Sequence, residues 1–353
     1  MPEVSIIIPV YNVQEHIGGC LDALTAQTLK EIEIICVDDG SVDNSAEIID
    51  EYASRDSRVR VIHQKNAGVS AARNAGLDCA NAPLVMFCDS DDEYAPEMVE
   101  SLCRTMRRFR CDFARCGVDV INSTKHSNIG ESCFSLPFGE GEILLSDDSA
   151  LLMDSVVWNK IFRKDIIDRY GVRFPEGLRY EDTCFFWKYV IVSKSAVLIN
   201  AKLYRYWLRE GSFTSLSGTS RLLDYIRNMD NLFDFIEKNC LWAAKGSLFL
   251  KIFVRTFDLV YQAIPRNDRD KCYNLALPIL QKIGESQIRD MACGEYYRAL
   301  TCILRRKYLY SGTSYLKICG VKVVKFVRKL GRREIRVFGV PVYRKKYKME
   351  TVC

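Results

Sequence analysis

At 353 residues and 40.5 kDa the chain exceeds the usual span of one hydrophobic core, so one large domain with an appendage, or two domains, is expected. Its 48% hydrophobic and 27% charged residues exclude a disordered, collagen-like or mainly coiled-coil protein. The net charge of +5 is unevenly placed: residues 317–348 hold twelve Lys or Arg against the single Glu334, which leaves the rest of the chain acidic by six charges.

The first ninety residues alternate apolar runs with helix signals. Val4–Val10, Ile32–Val37, Arg58–Ile62 and Leu84–Cys88 are short, β-branched or apolar, and spaced 25 to 30 residues apart, the period of βαβ units. Asn12-x-x-Glu15 and Asn44-x-x-Glu47 read as capping boxes that open a helix after the first and second strands. A largely parallel sheet covered by helices follows, with ligands expected at the carboxyl ends of its strands. From Asp92 to about Ser215 the pattern loosens into mixed helix and strand. Beyond it Leu222, Ile226, Met229, Phe233 and Ile236 recur at helical spacing, so a helical module is expected to about residue 310.

The tail repeats itself at an offset of 19 residues, Lys317–Lys325 against Arg336–Arg344. Two such repeats make a hairpin or paired strands rather than a solenoid. Between them Val323, Phe326, Val327 and Leu330 fall at the spacing of a short basic amphipathic helix.

The most apolar stretch, Ser247 to Pro265, is broken by Lys251, Arg255 and Asp258, which excludes a membrane-spanning helix. No secretory signal precedes the first apolar run, so a cytoplasmic location is expected. The 15 cysteines form no C-x-x-C pair and lack histidine companions at zinc spacing, so reduced thiols are expected.

Three segments carry chemistry. In Phe87-Cys-Asp-Ser-Asp-Asp92, three carboxylates crowd four positions directly after a buried strand. Such clustering costs Coulomb energy unless a cation neutralises it, and hard oxygen ligands suit Mg²⁺ or Mn²⁺ carrying a diphosphate. An acidic helix cap after a strand would explain the same residues. In Val37-Asp-Asp-Gly-Ser-Val-Asp43, turn chemistry accounts for Asp43 and Ser41 but not for two adjacent carboxylates. Asp39 is therefore the candidate to read a base N–H or a ribose hydroxyl. In Asn66–Gly76, Gly68 and Ser70 open a helix whose first N–H groups suit an anion, and close helix packing explains the alanines but not Arg73. The absence of G-x-G-x-x-G and of G-x-x-x-x-G-K-[ST] removes hydride-transfer and P-loop chemistry.

In this order these segments, with Val4–Asn12, resemble inverting glycosyltransferase family 2, nucleotide-sugar-dependent enzymes with a GT-A-type fold, in particular bacterial members of the capsule, exopolysaccharide and lipopolysaccharide type. The resemblance implies a Rossmann-like, mostly parallel α/β sheet flanked by helices over 1–215, with a nucleotide-binding half (1–92) and an acceptor half (93–215). A helical module (216–310) and a basic, hairpin-like tail (311–353) follow. It implies that Pro9 and Tyr11 line the base pocket and that Asp39 contacts the nucleoside. Asn12, Asp38, Asn66, Gly68, Arg73 and Ser90 would complete the nucleotide-sugar site, with Asp91 and Asp89 as metal ligands for Mn²⁺ or Mg²⁺. Trp158–Phe162 and Phe174–Asp182 look like the acceptor half, where Asp182 or Glu181 is the catalytic base. Leu203–Ser212 resembles the segment that closes over the diphosphate, although Trp207 departs from the commoner arginine.

A uridine diphosphate sugar donor and a glycan or lipid-linked glycan acceptor are the expected partners. The basic tail points to an anionic membrane surface on the inner face of the cell membrane, and nucleic acid is not expected. The tail could instead pack on the catalytic domain or on a second subunit in a homo-oligomer. The competing readings are a catalytically silent nucleotide- or glycan-binding member and a phosphotransferase using Asp89, for which no partner motif is present.

Overall fold

The computed structural model describes residues 1–122, 141–145, 154–208, 219–292 and 294–304, and the backbone of 312–318, 321–329, 332–337 and 340–346. It divides into two compact units, Met1–Ser217 with Asp234–Asn239, and Gly218–Phe233 with Cys240–Cys353.

The first unit is built on nine strands: β1 (Val4–Val10), β2 (Ile32–Asp38), β3 (Val59–His63), β4 (Leu84–Phe87), β5 (Glu93–Tyr94), β6 (Phe113–Asn122), β7 (Gly141–Leu144), β8 (Lys160–Arg163) and β9 (Ser195–Leu208). Their order is β3-β2-β1-β4-β8-β6-β9-β5, with β7 also on β9. The first four strands pair in parallel, as the βαβ spacing predicts. Beyond β4 the sheet is mixed: β8 runs antiparallel to both neighbours, while β6 and β9 are parallel.

Helices α1 (Ile17–Thr25), α2 (Ser45–Arg55), α3 (Val69–Cys79), α4 (Met98–Phe109), α5 (Lys164–Tyr170) and α6 (Glu181–Val192) belong to this unit. The continuous apolar run of β1 is explained by burial on both faces. Val4, Ile6, Ile8 and Val10 share a core with Leu21 and Leu24 of α1 and Met98 and Leu102 of α4. On the opposite face a Cβ at Gly76 of α3 would lie 2.4 Å from Cγ2 of Ile7, so only glycine lets this helix approach so closely.

The first capping box does not form. Helix α1 starts at Ile17 with His16 at its N-cap, and the Asn12 side-chain Oδ1 accepts the N–H of Val42 instead. Asn44 is the N-cap residue of α2, with Glu47 in its first turn, but its side chain makes no cap hydrogen bond, so the second capping box does not form either.

In the second unit, Trp242–Ala263 is a 22-residue helix whose Phe249, Phe253, Phe257 and Val260 are buried. The helix Arg269–Ile283 buries Tyr273, Ala276 and Leu280, and stacks Arg269 on the ring of Tyr261. Of the expected stripe, Leu222 ends the short helix Thr219–Leu222 and is half-buried, whereas Ile226, Met229 and Phe233, and Ile236 on the stretch that belongs to the first unit, are buried on the helix Asp224–Lys238. No helix among the described residues is long and apolar enough to cross a membrane. Of the eleven described cysteines, eight are buried.

The tail is a four-stranded antiparallel meander, β10 (Gly312–Ile318), β11 (Val321–Lys329), β12 (Arg332–Val337) and β13 (Val340–Lys346). The amphipathic helix expected at 323–330 is not formed. Residues 323–329 lie in β11, where the valine-rich sequence satisfies its backbone on both neighbouring strands. Each repeat spans one hairpin connection, and the register shift after Leu316 recurs after Ile335, at the same 19-residue offset.

Candidate functional site

Strands β1, β2 and β4 end at one edge of the parallel half. The loops beyond them enclose a cleft of about 340 Å³ lined by Pro9, Tyr11, Asp39, Asn66, Gly68, Arg73, Asp89, Ser90 and Asp91, together with Val10, Val13, Val69 and Ala72. Nine residues singled out from sequence therefore meet in one place. Asn12 and Asp38 do not line it; they brace its wall.

That wall is a lattice of short bonds between two loops. Asn12, at the left-handed φ of 51° that asparagine tolerates, accepts the Val42 N–H at 2.9 Å and donates its own N–H to Ser41 Oγ at 3.2 Å. Ser45 Oγ and Asp43 Oδ2 accept the N–H groups of Val13 and Gln14. Asp38 accepts the Ser41 N–H at 2.9 Å and pairs with His63 Nδ1 at 3.0 Å, while His63 Nε2 meets Asp50 Oδ1 at 3.1 Å. Burial opposes ionisation of Asp38, but the bonds from His63 and Ser41 prevail and hold its carboxyl below the usual value. The bond to Asp38 in turn raises the imidazole of His63.

Asp39 is buried and first of all a brace. Its Oδ1 accepts Gln64 Nε2 at 2.7 Å and the Ala67 N–H at 2.9 Å, and its Oδ2 accepts the Gly68 N–H at 2.7 Å. It thereby fixes the entry to α3. Gly40, at φ 74°, is required beside it, since a Cβ there would lie 2.9 Å from the Asn66 nitrogen.

Arg73 joins the cleft to the acid pair. The residue is 5% exposed; one guanidinium nitrogen donates to Asp89 Oδ1 at 2.9 Å, the other to Glu181 Oε1 at 2.5 Å, and its Cζ lies 5.3 Å from the Phe174 ring centre. Burial works against its charge, but Asp89, Glu181 and Asp182 together hold it protonated. Glu181 and Asp182 are the first residues of α6, where carboxylates suit the helix N-terminus. Asp182 is half-buried, and its Oδ1 accepts the Thr183 N–H at 2.7 Å. Burial, then the neighbouring Glu181, push its carboxyl up to about 7 despite Arg73.

The acidic loop after β4 divides its labour. Asp89 and Asp91 face the cleft, whereas Asp92 is buried and receives the Tyr204 hydroxyl at 2.5 Å and the Trp207 N–H at 3.1 Å. Burial raises its carboxyl well above the usual range, and Asp89 and Asp91 add to this. The Tyr94 hydroxyl donates to the Asp89 carbonyl, and Tyr204 packs between Tyr94 and Trp158. Among the described residues no three His, Cys, Asp or Glu side chains gather to hold a metal. Two carboxylates completed by diphosphate oxygens are nevertheless a donor set that Mg²⁺ or Mn²⁺ takes, so Asp89 and Asp91 fit such an ion.

Three supporting groups escaped the sequence reading. Gln64 and Tyr204 act as donors to carboxylates that are distant in sequence. Lys160, within the Trp158–Phe162 segment, is fully buried; it donates to Asp154, Asn159 Oδ1 and the Val156 carbonyl, and Arg115 pairs with the same Asp154 at 2.5 Å. Burial pulls the Lys160 ammonium down to about 8 against the pull of Asp154. Only the apolar frame around Lys160 hinted at this cluster. Of Leu203–Ser212, residues 209–212 lie outside the described residues.

A parallel β3-β2-β1-β4 half-sheet with a glycine-started helix and paired carboxylates at its carboxyl edge defines the α/β proteins that bind ligands at strand ends. Residues 5–171 match the family model "Glycosyl transferase family 2". The chain is 32% identical over 246 residues to the uncharacterized glycosyltransferase YibD of Escherichia coli, covering 67% of this chain and 70% of that protein. It is also 32% identical over 222 residues to the uncharacterized glycosyltransferase EpsJ of Bacillus subtilis, covering 61% of this chain and 64% of the relative. Among solved structures, residues 1–349 of S. aureus TarS in complex with UDP superpose with a TM-score of 0.65 at 17% identity, covering 96% of this chain and 100% of that one. The same TarS fragment has also been solved with UDP-GlcNAc. The chain belongs to glycosyltransferase family 2, and its fold is of the GT-A type.

Proposed function

We propose that this glycosyltransferase is a metal-dependent, inverting enzyme that moves a sugar from a UDP-sugar to a hydroxyl of a glycan or lipid-linked glycan in cell-surface polysaccharide synthesis. The observation that carries the reading is Arg73, which binds Asp89 of the cleft and Glu181 beside Asp182 and so holds the two acidic centres adjacent.

In this reading Pro9 and Tyr11 flank the base, and Asp39, with Asn66, Gly68 and Ser90, receives the nucleoside and phosphates. The TarS complexes with UDP and UDP-GlcNAc support a uridine nucleotide. Asp91 and Asp89 would hold Mn²⁺ or Mg²⁺, which supplies positive charge for the leaving diphosphate. Asp182 removes the proton of the acceptor hydroxyl; that oxygen attacks the anomeric carbon from the face opposite the nucleotide, the anomeric C–O bond breaks, and UDP departs. Asp182 suits the role better than Glu181, whose carboxylate is engaged by Arg73. Residues 1–215 are the catalytic domain, 216–310 a helical module, and the basic tail 311–353 a contact for anionic lipid at the inner face of the cell membrane.

The test pairs two variants in a donor-hydrolysis screen of UDP-sugars with Mn²⁺. Asp91→Ala should abolish Mn²⁺-dependent turnover with the fold intact, and Asp182→Asn should keep UDP binding while losing about 10²- to 10⁴-fold in transfer. Full activity of Asp91→Ala, or of the wild type in excess chelator, removes the metal. UDP affinity equal to that for GDP and CDP removes the uridine preference.

A further inference from the structure

Helix α3 has a polar face that its small-residue sequence conceals. Ser70, Arg73 and Asn74 stand at i, i+3 and i+4, on one side of the helix, and all three bind the segment 174–181 that leads into α6. Ser70 Oγ donates to the Pro175 carbonyl at 2.7 Å. Asn74 makes a matched pair of bonds with one residue, accepting the Phe174 N–H at 2.9 Å and donating to the Phe174 carbonyl at 3.0 Å. Asp78, one turn on, pairs with Arg173 at 2.9 Å.

The same helix is pinned at its other end. Asp39 holds the N–H groups of Ala67 and Gly68, at the mouth of the cleft. The held segment is rigid in its own right: Phe174 stacks on Phe185 of α6 with centroids 4.2 Å apart and meets Phe87 of β4 edge-on at 5.0 Å. Helix α3 is therefore a strut between the donor cleft and the start of α6. Asparagine is the side chain suited to the Phe174 position, since it can both donate and accept there; aspartate loses the donor and alanine loses both.

We propose that Ser70 and Asn74 are positioning residues for transfer: they touch neither donor nor acceptor, and they set the place of Asp182 by fixing the backbone of residues 174–175. This deepens the assignment of Asp182 as base and rests on it. A residue acting through Asp182 has nothing left to act on once that carboxylate is gone, whereas a residue supporting the fold at large costs the same in either background.

The experiment is a double-mutant cycle on the full chain, with Asn74→Ala, Asp182→Asn and the pair. Each is read by hydrolysis of whichever UDP-sugar the wild type turns over fastest with Mn²⁺, and by calorimetry of UDP. Asn74→Ala is expected to lower turnover about 10- to 100-fold, to leave UDP affinity within about threefold, and to cost less than about twofold when Asp182 is already Asn. Equal fractional loss in both backgrounds, or UDP affinity falling in step with turnover, overturns the proposal. Full turnover by Asp182→Asn alone instead sinks the base assignment, while a dead Asp182→Asn beside an unimpaired Asn74→Ala sinks the positioning role by itself. Should Asn74→Ala fail to fold, Ser70→Ala removes a single bond and carries the same cycle, with an expected loss of about 3- to 10-fold. No loss there overturns the proposal.

Discussion

The hydroxyl of Tyr204 donates to the buried carboxylate of Asp92 at 2.5 Å, across 112 residues of sequence. It ties the acidic loop after β4 to β9, so the residue that completes the Asp-Ser-Asp-Asp run is an anchor and not a ligand. Tyr204→Phe should keep the ring stack on Trp158 and lose the donor. The expected cost is about 1–3 kcal/mol for a buried acceptor left short of a partner. Equilibrium urea unfolding measures it, and an unchanged midpoint would mean that Asp92 does not depend on this bond.

The raised carboxyl of Asp182 fixes the direction of the pH dependence. Burial and Glu181 push it to about 7, so below that value the proposed base carries its proton and cannot take another. Turnover should rise with pH through an acid limb centred near 7. A limb at the ordinary carboxylate value near 4 that persists in Asp182→Asn would show that another group is the base.

Arg73→Ala should be among the most damaging substitutions, because it strands Glu181 in the interior. Breaking a buried pair costs about 3–5 kcal/mol, measurable by denaturant unfolding. Arg73→Lys should rescue it only in part, since one ammonium cannot reproduce the fork that meets Asp89 and Glu181 together. Wild-type stability of the lysine variant would contradict the bridging role.

His63 gives a second pH dependence, of opposite sense. Its folded value is raised, chiefly by Asp38 and further by Asp50, so its contribution to stability is fully present below the unfolded value of about 6.5. That contribution is lost as pH rises through the raised folded value. The ring is half exposed, so the effect is small and weakened by salt. Unfolding midpoints at pH 6 and pH 9 should converge in His63→Ala; an undiminished difference would place its origin elsewhere.

The tail is tested by sedimentation with vesicles. Twelve basic residues against one acid over 317–348 predict binding of the full chain to anionic vesicles at low salt, with release as salt shortens the Debye length. Truncation after Tyr310 should abolish binding and retain donor hydrolysis. Loss of folding on truncation, with no vesicle binding by the intact chain, would favour a packing role.

The parallel half was legible because its strands are β-branched runs buried on both faces, and because the βαβ order brings the loops holding Asp39 and Asp89–Asp91, and Arg73 on α3, to one edge. The second half was not, since β6 pairs with β9 some eighty residues further on and no local pattern encodes that register. Sequence also could not say which carboxylates face a ligand and which hold a loop. Asp38 and Asp92 look like Asp89 and Asp91 in sequence until His63 and Tyr204 arrive from elsewhere in the fold, while Asp39 both lines the cleft and holds the Gly68 N–H. The tail misled for a different reason: valines spaced for a helix are equally spaced for a strand with apolar residues on both faces, and only backbone pairing decides between them.

Gly76 has no part in any of this chemistry, yet it sets the separation on which the chemistry depends. With a would-be Cβ 2.4 Å from Ile7, one added methyl would act as a wedge beneath α3. The helix would tilt as a lever, carrying the cleft mouth at Gly68 and the clasp at Asn74 in the same stroke. A single carbon atom, remote from sugar and nucleotide alike, would then register as weaker donor binding and slower transfer at once, a joint defect that no substitution at either centre alone would mimic.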